Sequence, residues 1–235
     1  MNTETTISGV DASDESMVDP IEARVLAVLA EKEALTPDSY PLSLNALANG
    51  CNQLSSRDPV MTLTEDAVLD ALQRLIQKKL VAEVSQAGAR VTKYEHRMRI
   101  KWSLEQNRLA ILTVLMLRGI QTAGEIRTRS GRMHEFASLA EVEAGLQFLI
   151  DKYPPLVARL ARAPGAKEPR YAHLLSGRQA LAQAEEAAAG FSTGVSVGGV
   201  SRIDRLEQLE HEVMDLRQQV ELLTQQFDSF KKQFE

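Results

Sequence analysis

Three blocks of sequence recur in the same order along this chain, and no other feature limits its fold so tightly. Val25-Leu26-Ala27-Val28-Leu29 lines up with Ile111-Leu112-Thr113-Val114-Leu115, and Ala71-Leu72-Gln73-Arg74-Leu75-Ile76 with Gly145-Leu146-Gln147-Phe148-Leu149-Ile150. Lys93-Tyr94-Glu95-His96 lines up with Arg170-Tyr171-Ala172-His173. An ordered repeat of this kind is one supersecondary unit built twice, so an account of the first copy also constrains the second.

In the first copy, Pro20 opens a segment with Ile21, Val25, Val28 and Leu29 on one face, an amphipathic helix of about three turns. Ser43 is placed to cap a short helix carrying Leu44, Leu47 and Cys51. Thr64 heads a third helix with Val68, Leu69, Leu72, Leu75 and Ile76 inward and Lys78 and Lys79 near its C-terminal end. Two extended runs follow, Leu80 to Ser85 and Arg90 to Met98, broken by Ala87-Gly88, which predicts a hairpin. Three helices and a two-stranded ribbon in this order spell a winged helix. The second copy predicts helices near 103–118, 122–130 and 138–152 and a wing from Leu156 to Leu174. Its first helix is apolar nearly all round from Leu109 to Leu117, so a neighbour must cover it, either the first copy or another subunit.

The expected fold class is therefore mainly α with small β-wings: two tandem winged-helix domains followed by a C-terminal coiled-coil helix. The expected divisions are an acidic disordered lead at 1–19, winged-helix domains at 20–100 and 101–175, an Ala-rich segment and flexible linker at 176–202, and the coiled-coil helix at 203–235. That last segment places Leu206, Leu209, Val213, Leu216, Val220, Leu223, Phe227 and Phe230 at alternating spacings of three and four. Val213 and Val220 fall at a positions and Leu209, Leu216 and Leu223 at d, which favours a parallel pair of chains. In that register Arg205 meets Glu210 and Glu212 meets Arg217 of the partner. The alternative is a single helix folded back on the globular part.

Charge is unevenly spread over a chain whose net charge is −5: residues 101–175 carry eleven bases against seven acids, and residues 1–19 carry five acids and no base. A polyanion would be met by the middle of the chain. Cys51 is the lone cysteine, which excludes an intrachain disulfide and suggests a reducing compartment and a structural thiol. The N-terminal stretch has neither a basic start nor an apolar core, and no apolar run is long enough to span a bilayer. The expectation is a cytoplasmic protein without membrane contact.

The block YPLSLNALANGCNQLSSRDPVM, set between the repeated segments, resembles the YceH-like family of bacterial proteins of unknown function, over about residues 20–175. The resemblance implies a tandem winged-helix fold. It brings no catalytic or ligand-binding residues to carry over.

For function, two partners compete. Arg127, Arg129 and Arg132, in and after the second copy's second helix, and Arg159, Arg162, Lys167 and Arg170, in its wing, are candidates for nucleic-acid binding. Their alternative is a solvated surface with pairing to Glu125, Glu135 and Glu168. Asn45, Asn52, Gln53, Ser55, Ser56 and Arg57 are candidates for contact with phosphates or a protein partner; their alternative is turn-building, with Arg57 held by a nearby carboxylate such as Asp58. Against groove docking stand Glu65, Asp66 and Asp70 on the first copy's third helix and Glu141 and Glu143 on the second's, which face phosphates unfavourably. The leading expectation is a dimeric DNA-binding regulatory protein; the competing one is an adaptor that receives a protein. No metal-ligand spacing, phosphate loop or nucleophile-base set is present, and His96 and His173 occupy equivalent wing positions, so neither an enzyme nor a metal or other cofactor is expected.

Overall fold

The computed structural model describes residues 17–84, 91–160 and 168–177. The elements are α1 (Pro20–Leu35), β1 (Leu42–Ser43), α2 (Leu44–Cys51), α3 (Glu65–Gln77), β2 (Val81–Val84), β3 (Lys93–His96), α4 (Met98–Trp102), α5 (Gln106–Arg118), β4 (Gln121–Thr122), α6 (Ala123–Ser130), α7 (Leu139–Ile150), β5 (Val157–Arg159) and β6 (Arg170–His173). The chain is mainly helical with two small antiparallel sheets, ordered β1-β3-β2 and β4-β6-β5. The tail from 178 onward, with the heptad residues Leu206 to Phe230, lies outside the described residues, as does the lead before Met17.

The repeat is visible residue by residue in the sheet register. Tyr94 stands opposite Leu42 and His96 opposite Val81; Tyr171 stands opposite Gln121 and His173 opposite Val157. Cap chemistry repeats as well, for Ser43, Thr64, Thr122 and Ser138 each accept a backbone N–H three residues on at the start of a helix. These hydroxyls satisfy donors that the first helical turn leaves without a partner.

The cover required by the apolar Leu109–Leu117 run is the first copy. Helices α1 and α5 pack against each other at the centre, and one continuous core runs through both repeats. This corrects the amphipathic reading of α1, which is buried nearly all round from Glu22 to Glu31. Its polar residues are accommodated by pairing: Asp19 and Glu22 form a capping box at the N-terminus, and the same two carboxylates hold Arg74 at 2.8 and 3.1 Å. Lys78 adds 2.6 Å to Glu22. Val18 and Asp19, assigned from sequence to the acidic lead, thus belong to the fold, with Val18 buried in the core.

Close approach between α2 and α1 depends on Gly50, where an added Cβ would lie 2.6 Å from Cγ1 of the buried Val28. A β-branched side chain in a packed interior has little room to yield. Gly50→Ala is expected to lose about 1–2 kcal/mol despite its better helix propensity, read as a lower denaturant midpoint at unchanged slope.

Short helix α4 was not anticipated, since the second wing strand was expected to run on to Met98. The strand ends at His96 because Met98 and Trp102 turn inward to fill the core, and Ser103 closes the helix in the left-handed region at φ 49°. Around this junction Glu33 Oε2 accepts from Arg99 at 3.0 Å and lies 3.1 Å from His96 Nε2. The His96 contact first, then Arg99, hold the Glu33 carboxyl down from 4.5 to about 2, against the opposing effect of burial. A folded value below the unfolded one means stability present above about pH 4.5 and lost as pH falls toward 2. Glu33→Gln is expected to remove about 1–2 kcal/mol from that acid limb, allowing for solvent screening, and unfolding curves between pH 5 and about 2 check it.

Candidate nucleic-acid interface

The polar stretch between α2 and α3 mostly ties its own loop. Asn52 closes it with two bonds to Leu63, donating to the carbonyl at 2.8 Å and accepting from the N–H at 2.7 Å. Asn45 donates to Glu65 at 2.8 Å, linking α2 to the start of α3. Arg57 is buried, and its partner is Glu31 on α1, at 3.2 and 2.7 Å, which corrects the expected local pairing with Asp58. It also donates to the Gly50 and Ser56 carbonyls and to Gln53 Oε1. Of the six candidates in this stretch, Asn45, Gln53, Ser55 and Ser56 are exposed, Asn52 is half-buried and Arg57 buried, and Asn45, Asn52, Gln53 and Arg57 are engaged in bonds within the fold.

The second copy's arginines divide into three groups. Arg127 donates to the Phe136 and Ala137 carbonyls and so belongs to the α6–α7 turn. Arg159 and Arg170 are exposed on β5 and β6, where Arg170 stands opposite Thr122 at the N-terminal end of α6. Arg162 and Lys167 lie outside the described residues. Arg129 and Arg132, at the C-terminal end of α6, converge with Arg118 from the end of α5 on a cavity of about 60 Å³. Because α6 rises roughly 12 Å over its length, the wing arginines and this cluster sit at opposite ends of that helix.

This cavity also joins the two sets of candidates read from sequence. Ser56 lines it and accepts from Arg118 Nη2 at 2.6 Å. Glu31 is the carboxylate in the lining, and it is already engaged by Arg57. Arg129 reaches Glu125 only at 3.6 Å, the one expected pairing of these arginines that forms among the described residues. Burial, then the like charges of Arg129 and Arg57, push the Arg118 guanidinium below its ordinary value, the sign of cations crowded without enough counter-charge. Arginine remains charged at neutral pH regardless, so the cavity presents a surface with more bases than acids, Arg118, Arg129 and Arg132 against Glu31. Arg118 is not among the bases singled out from the sequence; it is the last residue of α5, two residues short of β4.

The third-helix faces are unlike this. On α3, Glu65, Asp66, Asp70, Gln73 and Gln77 face solvent, while Arg74 and Lys78 are turned toward Asp19 and Glu22. On α7, Glu143, Ala144 and Gln147 are exposed, and Glu141 is drawn back to accept from the Ala137 N–H. Neither helix offers a free base to a groove.

A sequence-family model described as "Protein of unknown function, DUF480" matches residues 18–166. The chain belongs to this family. A UPF0502 protein of Herminiimonas arsenicoxydans is 64% identical over 235 residues, covering 100% of this chain and 98% of its own. Its counterpart from Janthinobacterium sp. (strain Marseille) is 70% identical over 212 residues, covering 90% and 89%, and one from Azoarcus sp. (strain BH72) is 51% identical over 232 residues, covering 99% and 100%. The resemblance read from the 40–61 block is thereby borne out. The relatives from Herminiimonas arsenicoxydans and Azoarcus match this chain over nearly their whole length.

Burial pushes the Cys51 thiol up to about 12, which leaves no thiolate to act as a nucleophile. Among the described residues no cluster of His, Cys, Asp or Glu is arranged to hold a metal ion, and no helix there is long and apolar enough to cross a membrane.

Proposed function

We propose that the chain is a non-enzymatic tandem winged-helix protein of the cytoplasm that binds nucleic acid in a regulatory role, through phosphate contacts at Arg118, Arg129 and Arg132. The observation that carries this reading is that three arginines and Ser56 line one cavity whose one carboxylate among the described residues, Glu31, is already paired with Arg57. Guanidinium groups donate in a fork that suits phosphate oxygens. The order helix, strand, helix, helix, hairpin in each repeat supports the winged-helix assignment. Arg159 and Arg170 supply a second point of backbone contact at the other end of α6. The acidic α3 and α7 faces make this a backbone-docking mode without base reading by the third helices.

The heptad seam of Leu206 to Phe230 supports a parallel dimer that spaces two such surfaces; a sedimentation mass equal to one 26.0 kDa chain would remove it. Anisotropy titration of a mixed-sequence duplex at low and high salt tests the binding itself. A second reading, an adaptor for a protein partner, is favoured by the acidic α3 face, where Asp66 and Asp70 are exposed. Co-purification of nucleic acid without a stoichiometric protein counts against the adaptor.

A further inference from the structure

A second cavity, of about 230 Å³, opens between the first turn of α1, the loop at residues 58–61, the C-terminal end of α5 and the segment after β6. Its walls are largely apolar, with Ala23, Pro59, Met61, Met116 and Ile120 among them. It is framed by main-chain bonds between the two repeats and their ends: Asp58 N–H donates to the Leu117 carbonyl at 2.8 Å and Val18 N–H to the Leu175 carbonyl at 2.8 Å. A molecule held here touches both repeats at once.

Two lining residues each carry one buried polar atom without a hydrogen-bond partner. Arg24 is 1% exposed, and its Nη1 and Nη2 donate to the Cys51 and Pro59 carbonyls at 3.1 and 2.6 Å, but Nε has no acceptor. Among the described residues no carboxylate lies within ion-pair distance of it, whereas the other buried arginine, Arg57, has Glu31. A buried cation without a counter-ion is costly unless something completes it.

His173 supplies the second group, and the repeat provides its control. At the equivalent position His96 is fully used: its Nδ1 accepts from the Met98 N–H at 3.3 Å and its Nε2 meets Glu33. His173 Nδ1 has no partner, and burial holds the ring down to about 4, so it is neutral at physiological pH. The same residue is satisfied where the first repeat closes over it and unsatisfied where the second borders this cavity.

We propose that the cavity binds a small monocarboxylate with an apolar body, the carboxylate accepting from Arg24 and the His173 ring and the hydrocarbon part lying against Met61, Met116 and Ile120. The volume is below the roughly 300–1,000 Å³ of drug-sized sites, which restricts the ligand to a short chain. Asp58, exposed in the lining, is the one acid there and is placed to accept from an ammonium group if the ligand carries one. This site does not depend on the nucleic-acid reading, and loss of DNA binding leaves it untouched.

The test is calorimetric titration and thermal unfolding of the full chain with isovalerate, 2-oxoisovalerate and leucine, with isoamyl alcohol as the control that lacks a carboxylate. At least one acid is expected to saturate and to raise Tm by about 5–10 °C at a hundredfold excess over Kd, while the alcohol does neither. Ile120→Trp, which fills the cavity from its rim and leaves Arg24 in place, is expected to weaken binding at least about tenfold, and Arg24→Gln to abolish it. The first variant keeps the test decisive if the second fails to fold. Saturation by leucine alone supports the site and assigns the ammonium contact to Asp58. No saturation by any of the three acids, an equal response to the alcohol, or unchanged binding in Ile120→Trp overturns the proposal.

Discussion

Arg57→Ala is expected to destabilise the protein by about 3–5 kcal/mol, the cost of breaking a buried ion pair from one side. The Arg57 side chain is 0% exposed and its Glu31 partner 10%. Removal leaves that carboxylate, among the described residues, with Lys32 at 3.7 Å as its one remaining ion pair. It also strips the Gly50 carbonyl at the end of α2 of both guanidinium donors. Lysine is a poor replacement, since one ammonium cannot span Glu31, Gly50, Gln53 and Ser56 together. Replacing both partners with apolar residues of similar volume, Arg57→Met with Glu31→Leu, is expected to recover most of the loss, because no charge is then stranded. Denaturant unfolding of the two single variants and the double variant checks this; a single-variant loss below about 1 kcal/mol would place the pair among ordinary surface bridges.

Charge removal at Arg118, Arg129 and Arg132 is expected to have the largest effect on nucleic-acid binding. Three phosphate contacts contribute a salt slope near −2.7, or about 40-fold in affinity between 50 and 200 mM salt. The triple alanine variant is expected to lose that portion of the slope and keep its fold, since none of the three is fully buried. Arg127→Ala provides the contrast. That side chain holds the Phe136 and Ala137 carbonyls of the α6–α7 turn, so its loss is expected to lower stability by about 1–2 kcal/mol and leave the salt slope unchanged.

What was legible in the sequence was local or periodic. The caps at Ser43 and Thr64, the third-helix core positions Val68, Leu72 and Leu75, and the matched Tyr94 and Tyr171 follow from side chains acting within a turn or a strand of their own backbone. The need to cover Leu109–Leu117 was also legible, because an all-round apolar helix in a small unit has to be enclosed. What escaped was pairing across distance. Arg57 finds Glu31 at a separation of 26 residues, Arg118 finds Ser56 across 62, and Arg74 finds Asp19 across 55. No periodicity encodes such pairs, since they depend on how α1 and α5 are set against the α2–α3 loop. The same limit explains Arg24, which reads as a polar position on an amphipathic helix and proves to be enclosed. Of the seven bases named as nucleic-acid candidates, two gather with Arg118, one is built into a turn, two lie at the other end of α6, and Arg162 and Lys167 lie outside the described residues.

The central claim is that the Arg118, Arg129 and Arg132 cluster docks on a phosphate backbone. It is tested most directly by the dependence of duplex-DNA affinity on salt, measured by anisotropy for the wild-type chain and the triple alanine variant. The account predicts tight binding at low salt for the wild type and a log–log slope shallower by about 3 in the variant. Identical slopes, or no binding by the wild type at low salt, would contradict it.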